Sequence, residues 1–261
     1  MELFSHPETW GALITLTFLE IILGIDNIIF ISITAGKLPE NKIKKATNIG
    51  LLLAMVFRIL LLMGVTYLIA MKDSLFHLDW NWLKANVSGQ SLILFAGGLF
   101  LLYKSTHEIH TKVEGNGPDE EITKKNGTST MLSVIIQIVL IDIVFSFDSV
   151  LTAVGMTNGI HGALVIMIVA VIISILIMMI FAMPIGQFVN KHPSIQMLAL
   201  SFLILIGFML VTESAHISHA VVFGQEVGAI PKGYLYFAIT FSLGVEILNM
   251  KMRSKSNKNI G

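Results

Sequence analysis

The sequence predicts an all-α membrane protein with seven transmembrane helices, in which a 3+3 inverted repeat is followed by one extra C-terminal helix. Hydrophobic residues make up 54% of the chain and charged residues only 13%, whereas soluble domains carry about 25% charged residues. A helix needs about 20 mostly apolar residues to cross a bilayer. Seven segments meet this requirement: residues 10–34, 48–71, 88–104, 131–154, 163–185, 196–213 and 233–250.

The composition also excludes several classes of function. The formal net charge is +0, so nothing in the charge balance points to a nucleic-acid partner. The chain contains no cysteine, which excludes disulfides, thiolate metal sites and cysteine nucleophiles. No positive charge precedes the first apolar segment. We therefore expect this segment to remain as a helix and not to be removed as a signal peptide.

The distribution of basic residues predicts how the helices are oriented. With the N-terminus outside and the C-terminus inside, 13 of the 17 Lys and Arg residues lie in inner loops or the C-terminal tail, and three lie in outer loops. Cytoplasmic loops carry the excess of basic residues, so this orientation is preferred over its inverse. In this orientation five aromatic residues lie at the outer membrane interface, where they would contact the lipid bilayer. They are Trp10, Trp80, Trp82, Tyr234 and Tyr236.

Two internal matches predict the repeat. Residues 19–28 resemble residues 141–150, so that Asp148 follows Asp26 by 122 positions. A weaker match links residues 98–107 to residues 207–216. Spans 1–3 therefore correspond to spans 4–6, and a unit with three spans must be inverted in the membrane. Inverted repeats of this kind build many secondary transporters, whose ion sites lie near the midplane between the repeats.

The domain organisation follows from this repeat. The whole chain, 1–261, is predicted to be a single transmembrane domain. Its parts are repeat 1 at about 10–110, a polar inner loop at about 111–130, repeat 2 at about 131–219 and the extra helix at about 233–250.

The repeated segments carry the candidate site residues. Each copy places two carboxylates six residues apart in apolar sequence, although a charged side chain at the bilayer centre costs at least about 2.5–3.5 kcal/mol. A polar residue directly follows the second acid in each copy. The simplest interpretation is a cation site formed by Glu20, Asp26, Asn27, Asp142, Asp148 and Ser149.

Packing of spans 1 and 4 would arrange the acids in two tiers. Because the spans run in opposite directions, Glu20 would approach Asp148 in an outer tier, and Asp26 would approach Asp142 in an inner one. Residues six apart lie about 120° apart on an ideal helix. Either each helix presents a wide polar side, or it is locally unwound at Gly24 or Ser146 and exposes carbonyl oxygens.

Carboxylate, amide and hydroxyl oxygens are hard ligands that suit Mg²⁺, Ca²⁺ or Mn²⁺. Several negative groups around one point favour a divalent ion that passes through the site, and we expect no permanently bound cofactor. The alternative is that the four acids form structural ion pairs or stay protonated. Only one base, Arg58, lies within the predicted spans to neutralise four acids, which favours the cation site.

Four further charged residues have two interpretations each. Arg58 either is a counter-charge for the carboxylates when no ion is bound, or forms a fixed pair with one Asp. Lys104 and Glu213, at the ends of spans 3 and 6, either anchor the helices at opposite interfaces or gate the two mouths. Glu246, in the last span, either lines the inner mouth or reaches the inner interface.

The motifs resemble the TerC family of membrane proteins. Residues 18–27, 142–150, 97–104 and 241–249 carry this resemblance, which covers essentially the whole chain. It implies a bacterial cytoplasmic membrane protein with a LysE-like inverted-repeat fold, and a role in exporting Mn²⁺. Carried over by motif, Asp26, Asn27, Asp148 and Ser149 would hold the ion, with Glu20 and Asp142 completing or flanking the site.

We therefore expect a transporter that exports a divalent cation, most simply Mn²⁺, and not an enzyme. One alternative is a non-transporting membrane component that assists assembly or metalation of membrane or secreted proteins. An intramembrane aspartyl protease is disfavoured because neither Asp lies in a GxGD motif. The sequence leaves open whether the chain forms a homo-oligomer.

Overall fold

A computed structural model describes residues 7–64, 73–114, 130–157, 160 and 162–258, without the side chains of residues 23, 25, 26, 148 and 254–258. Within this part the chain forms seven long helices, each of which overlaps one predicted span. They are α1 (Pro7–Ala35), α2 (Glu40–Met63), α3 (Gly89–Glu114), α4 (Met131–Met156), α5 (Ala163–Lys191), α6 (Pro193–Ile217) and α7 (Lys232–Lys258).

The protein is mostly helical, as the sequence predicts. Five of the described helices, α2 and α4–α7, are long and apolar enough to cross a membrane. Helix α1 is a sixth candidate, and its two halves meet at a 41° bend. Helix α3 is less apolar because polar residues at both ends flank its apolar middle. The number of crossings, their direction and the repeat stay predictions.

Helices α2 and α3 extend well past the apolar segments that predicted them, and α5 and α7 do so at their C-terminal ends. Helix α2 begins at Glu40, eight residues before the predicted start. Helix α3 continues to Glu114, ten residues past the predicted end. Hydropathy marks only the apolar part of a helix, whereas charged turns such as residues 40–47 extend it into the polar interface.

The segments predicted as outer loops form a small antiparallel sheet. Its strands are β1 (Ser74–Asp79), β2 (Leu83–Ser88), β3 (Val221–Val222) and β4 (Gln225–Glu226), in the order β1-β2-β3-β4. Strand β2 alternates apolar and polar residues, which is the pattern of a half-buried strand. The all-α prediction missed this sheet because the two hairpins are short and lie between long apolar segments.

Helix packing brings the two predicted repeats together in matched pairs. Helix α3 packs most extensively on α6, α1 packs on α5, and α2 packs on α4. Helix α1 also contacts α4, and α2 also contacts α5. The predicted repeat pairs α1 with α4, α2 with α5 and α3 with α6. Exchanging each helix for its counterpart turns the α1–α5 contact into the α2–α4 contact and leaves the α3–α6, α1–α4 and α2–α5 contacts unchanged. The buried core lies along these contacts.

A close crossing joins two glycines, Gly98 of α3 and Gly207 of α6, which occupy matched positions in the weaker sequence match. A Cβ added to Gly98 would lie 2.7 Å from the Gly207 carbonyl oxygen, and one added to Gly207 would lie 3.0 Å from the Gly98 carbonyl oxygen. Helices in membranes approach this closely through small residues. Both positions therefore require glycine for packing.

We expect Gly98→Ala to lower the free energy of unfolding by about 1–3 kcal/mol, because the added methyl must push two backbones apart. The matched control is Gly155→Ala in α4, where an added Cβ meets nothing within 4 Å. The measurement is the apparent melting temperature of both purified variants in detergent. Equal melting temperatures would show that the α3–α6 crossing has room to spare.

Candidate cation site

Charged side chains of three helices meet near the middle of the bundle. Arg58 of α2 lies between Glu20 of α1 and Asp142 of α4, and all three residues are at most 4% exposed. The guanidinium donates from Nη1 to Glu20 Oε2, from Nε to Asp142 Oδ2 over 3.0 Å and from Nη2 to Asp142 Oδ1 over 2.6 Å. One guanidinium thus bridges two buried carboxylates, one from each predicted repeat.

This arrangement bears on the two interpretations of Arg58. The guanidinium binds Asp142 through two nitrogens and Glu20 through a third, so it forms no simple pair with one Asp. The planar fork of arginine matches carboxylate geometry in this way. The cluster keeps at least one formal negative charge in excess when both acids are ionised, which leaves it attractive to a further cation.

Polar side chains complete the cluster on both sides. Asn27 Nδ2 donates to Asp142 Oδ1 over 3.2 Å, and Ser146 Oγ donates to Asp142 Oδ2 over 3.0 Å. Ser149 is also buried on α4, where its Oγ donates to the Ser146 carbonyl oxygen over 3.2 Å. Asp142 of one repeated segment thus contacts Asn27 of the other.

One oxygen in this cluster lacks a partner. Asn27 is 2% exposed, and its Oδ1 atom finds no hydrogen-bond donor among the described residues. A buried amide oxygen without a partner is unfavourable by about 1–3 kcal/mol. A divalent cation would satisfy it, because amide and carboxylate oxygens are the hard ligands that Mg²⁺, Ca²⁺ and Mn²⁺ prefer.

The described side chains do not by themselves form a complete metal site. No group of three or more Asp, Glu or His residues lies close enough together to hold a metal within this part of the chain. Asp26 and Asp148, the two remaining predicted ligands, have side chains outside the described part. The two predicted tiers that involve them therefore stay predictions, whereas Glu20 and Asp142 lie against the same guanidinium.

The backbone differs between the two repeated segments. Helix α1 bends by 41° between Pro7–Ile22 and Asn27–Ala35. Helix α4 runs without such a break from Met131 to Met156, and Ser146 Oγ also contacts the Asp142 carbonyl oxygen. The sequence left wide polar faces and local unwinding as alternatives. The structure bends α1 between Ile22 and Asn27 and keeps α4 continuous.

Lys104 belongs to an ion cluster at the predicted inner face. Glu108, 3% exposed, accepts from Lys104 Nζ over 2.9 Å and also from Lys37 of the α1–α2 connection. Burial by itself would raise the pKa of Glu108, but its bonds to Lys37 and Lys104 outweigh this and hold the pKa below the usual glutamate value. Sequence reasoning missed Glu108, although its i,i+4 spacing from Lys104 is a helix-pair signal.

Glu213 and Glu246 take different environments. Glu213 lines a cavity of about 70 Å³ between α4, α6 and α7, and Arg58 and Ser149 line the same cavity. Glu213 therefore lies between the predicted outer face and the charged cluster. Glu246 of α7 is partly buried, and its Oε1 atom has no hydrogen-bond partner among the described residues.

Long apolar helices around a buried cluster of ionisable side chains define an integral membrane protein with an intramembrane polar site. The family model described as "Integral membrane protein TerC family" matches residues 5–259. The chain belongs to this family, as its motifs predict.

The chain is similar to several bacterial proteins along nearly its whole length. It is 46% identical over 253 residues to the UPF0053 inner membrane protein YgdQ of Escherichia coli (strain K12), covering 97% of both chains. It is 44% identical over 252 residues to a UPF0053 protein of Haemophilus influenzae, covering 97% of this chain and 98% of the relative. The UPF0053 protein YegH of Escherichia coli is 43% identical over 249 residues, which is 95% of this chain and 43% of that longer protein.

No solved structure matches the chain. The names of the relatives and the several spanning helices agree on location, and the protein is a multi-pass protein of the bacterial cytoplasmic membrane.

Proposed function

We propose that the protein is a transporter that exports a divalent metal cation, with Mn²⁺ as its cargo. The observation that carries this proposal is the buried cluster in which one guanidinium bridges Glu20 and Asp142 while the Asn27 amide oxygen has no partner among the described side chains. Ionisable groups within a membrane are rare and mark ion pathways. Transport, the identity of the ion and the direction of export are parts of the proposal.

In this proposal Arg58 and the cargo compete for the same carboxylates. A divalent cation that reaches the cluster would coordinate the carboxylate oxygens to which Arg58 donates, and the guanidinium would move away from them. Asp26 and Asp148 would supply the further carboxylates. After release of the ion Arg58 would return, so that Glu20 and Asp142 never stay buried without a counter-charge. Removing one partner of a buried ion pair is unfavourable by about 3–5 kcal/mol, which makes such an exchange necessary.

Helix packing supports alternating access of two units, α1–α3 and α4–α6. The contacts of Asp142 with Asn27 and with Arg58 lie between the units, as do the glycine crossing and the matched helix pairs. A site shared by two inverted units becomes accessible from opposite sides when one unit rocks against the other. We propose that the inverted repeat works in this way.

Protons are the natural counter-ions in this scheme. A carboxylate binds either a proton or a metal ion, so divalent export and proton import would compete at the same oxygens. We propose that the protein holds no permanently bound cofactor and that its partners are the divalent ion and the lipid bilayer. Whether the chain forms a homo-oligomer stays open.

The test is flux through the purified protein in liposomes. We expect Mn²⁺ flux that exceeds Mg²⁺, Ca²⁺ and Zn²⁺ flux, and loss of this flux in Asp26→Asn and Asp148→Asn, the variants of the two acids that the repeat predicts as ligands. Normal flux in both variants would remove these acids from the site. Absence of flux for every ion, from protein shown to be folded, would favour the assembly or metalation role.

A further inference from the structure

A second cavity lies on the opposite side of the charged cluster from Glu213. It has a volume of about 530 Å³ and lies between α1, α2 and α5 at the predicted cytoplasmic face. We call it the inner vestibule. Its polar lining is Ser32, Glu40, Thr47, Gln187, Asn190 and Lys191.

The inner vestibule suits a hydrated cation in transit. At about 30 Å³ per molecule, it accommodates on the order of 15–20 waters, which exceeds the six of an octahedral hydrate. Amide and hydroxyl groups offer hydrogen bonds to the water ligands of the ion. The one carboxylate and the one lysine of the lining balance each other in charge, so the ion is not trapped there. The vestibule fits passage better than tight binding.

The floor of the inner vestibule is a close crossing of α1 and α5. A Cβ added to Gly186 would lie 2.8 Å from Ser32 Oγ, and Ser32 Oγ itself donates to the Ile28 carbonyl oxygen over 2.7 Å. Ser32 lies five residues beyond Asn27, which is about 7.5 Å along a helix axis. This crossing therefore separates the vestibule from the charged cluster by less than two helical turns.

Both helices that form this floor have a joint at its membrane side. Helix α1 bends by 41° ahead of Asn27. Helix α5 contains Pro184, which removes the hydrogen bond to the carbonyl of residue 180 and weakens the helix there. The ends of α1 and α5 that flank the vestibule can therefore move apart with little change in the rest of either helix.

We propose that the inner vestibule is the aqueous path by which the hydrated divalent cation reaches the charged cluster from the cytoplasm, and that the Ser32–Gly186 crossing is its gate, closed in this structure. The proposal rests on the proposed transport function. It assigns the gate to two small residues that contact each other and not to the charged residues at the helix ends.

The first test uses the absence of cysteine from the chain. Single variants Gln187→Cys and Asn190→Cys place a thiol at an exposed position of the inner vestibule, and Ile180→Cys on α5 places one on a surface that is 70% exposed within the apolar part of the helix. A charged, membrane-impermeant thiol reagent is added to inside-out or right-side-out vesicles. We expect both vestibule thiols to react only from the cytoplasmic side, and Ile180→Cys to stay unreacted from either side.

The second test exchanges the two residues of the gate. Gly186→Ser places a second hydroxymethyl group against that of Ser32, so the crossing becomes overpacked. We expect this variant to reduce Mn²⁺ flux roughly tenfold or more. The exchange Ser32→Gly with Gly186→Ser returns one hydroxymethyl to the crossing and should restore most of the flux. Gly155→Ser, at a position with nothing within 4 Å of an added Cβ, should transport normally.

The two tests separate this proposal from the proposed function. Thiol labelling does not depend on transport. If the vestibule thiols react from the cytoplasmic side but the protein shows no Mn²⁺ flux, the aqueous path is supported and the proposed cargo is rejected. Vestibule thiols that stay unreacted, or react only from the outer side, would reject the path even if the protein transports Mn²⁺. Full flux in Gly186→Ser would reject the gate.

Discussion

Replacing Asp142 with asparagine is expected to abolish divalent-cation transport and to leave a folded protein in the membrane. The Asn side chain keeps the volume of Asp142, and its oxygen still accepts from Arg58. Glu20 remains to neutralise the guanidinium. The site loses one carboxylate, however, so a divalent cation that replaces Arg58 would have one charged ligand and one negative charge fewer to compensate its burial.

The expected loss is at least about 100-fold in Mn²⁺ flux, the size of effect that follows loss of a principal charged ligand. Asp79→Asn is the matched control, because Asp79 forms an exposed pair with Lys84 on the outer hairpin. Its flux should equal that of the wild type. Flux from Asp142→Asn within about twofold of the wild type would show that the carboxylate takes no part in transport.

Replacing Arg58 with methionine is expected to have the largest effect on stability. Glu20 and Asp142 would then lie at most 4% exposed without the base that joins them. Breaking a buried ion pair in this way costs about 3–5 kcal/mol, which for a chain of this size lowers the melting temperature by roughly 10 °C. We expect added Mn²⁺ to restore much of this loss, because a divalent cation can take the place of the guanidinium.

The response to Mn²⁺ separates the two interpretations of Arg58. If Arg58 is a counter-charge that alternates with the cargo, Arg58→Met melts low without Mn²⁺ and is stabilised by Mn²⁺ more than the wild type is. If Arg58 is a fixed structural residue, the variant melts low and Mn²⁺ changes nothing. Arg253→Met, at the exposed end of α7, is the control and should melt like the wild type in both conditions.

Hydropathy and the positions of polar residues predicted much of this architecture. Each of the seven apolar segments overlaps a helix of the described residues, although α2 ends at Met63 and the end of its predicted segment, 65–71, lies outside them. A segment of that length and polarity can satisfy its backbone in a membrane only as a helix. The repeated acids also identified two of the three charged residues that meet, Glu20 and Asp142. An ionised residue in apolar sequence is informative because so few structures tolerate it.

The sequence could not predict features that depend on tertiary packing. Arg58 had equal reason to contact any of four acids, and only the packing of α2 against α1 and α4 brings it to Glu20 and Asp142. The outer sheet pairs β2 with β3, which lies more than 130 residues further along the chain. Local sequence patterns carry no signal for contacts between such distant segments. Glu108 was missed because α3 continues past its apolar part.

Binding of Mn²⁺ to the purified protein at neutral pH tests the central claim most directly. Free hydrated Mn²⁺ gives a strong electron paramagnetic resonance signal that decreases when the ion is bound, so the signal measures the bound fraction without any transport. We predict saturable binding that is lost in Asp142→Asn and unchanged in Asp79→Asn. Folded wild-type protein that binds no Mn²⁺, or an Asp142→Asn variant that binds it as well as the wild type, would contradict a cation site between α1 and α4.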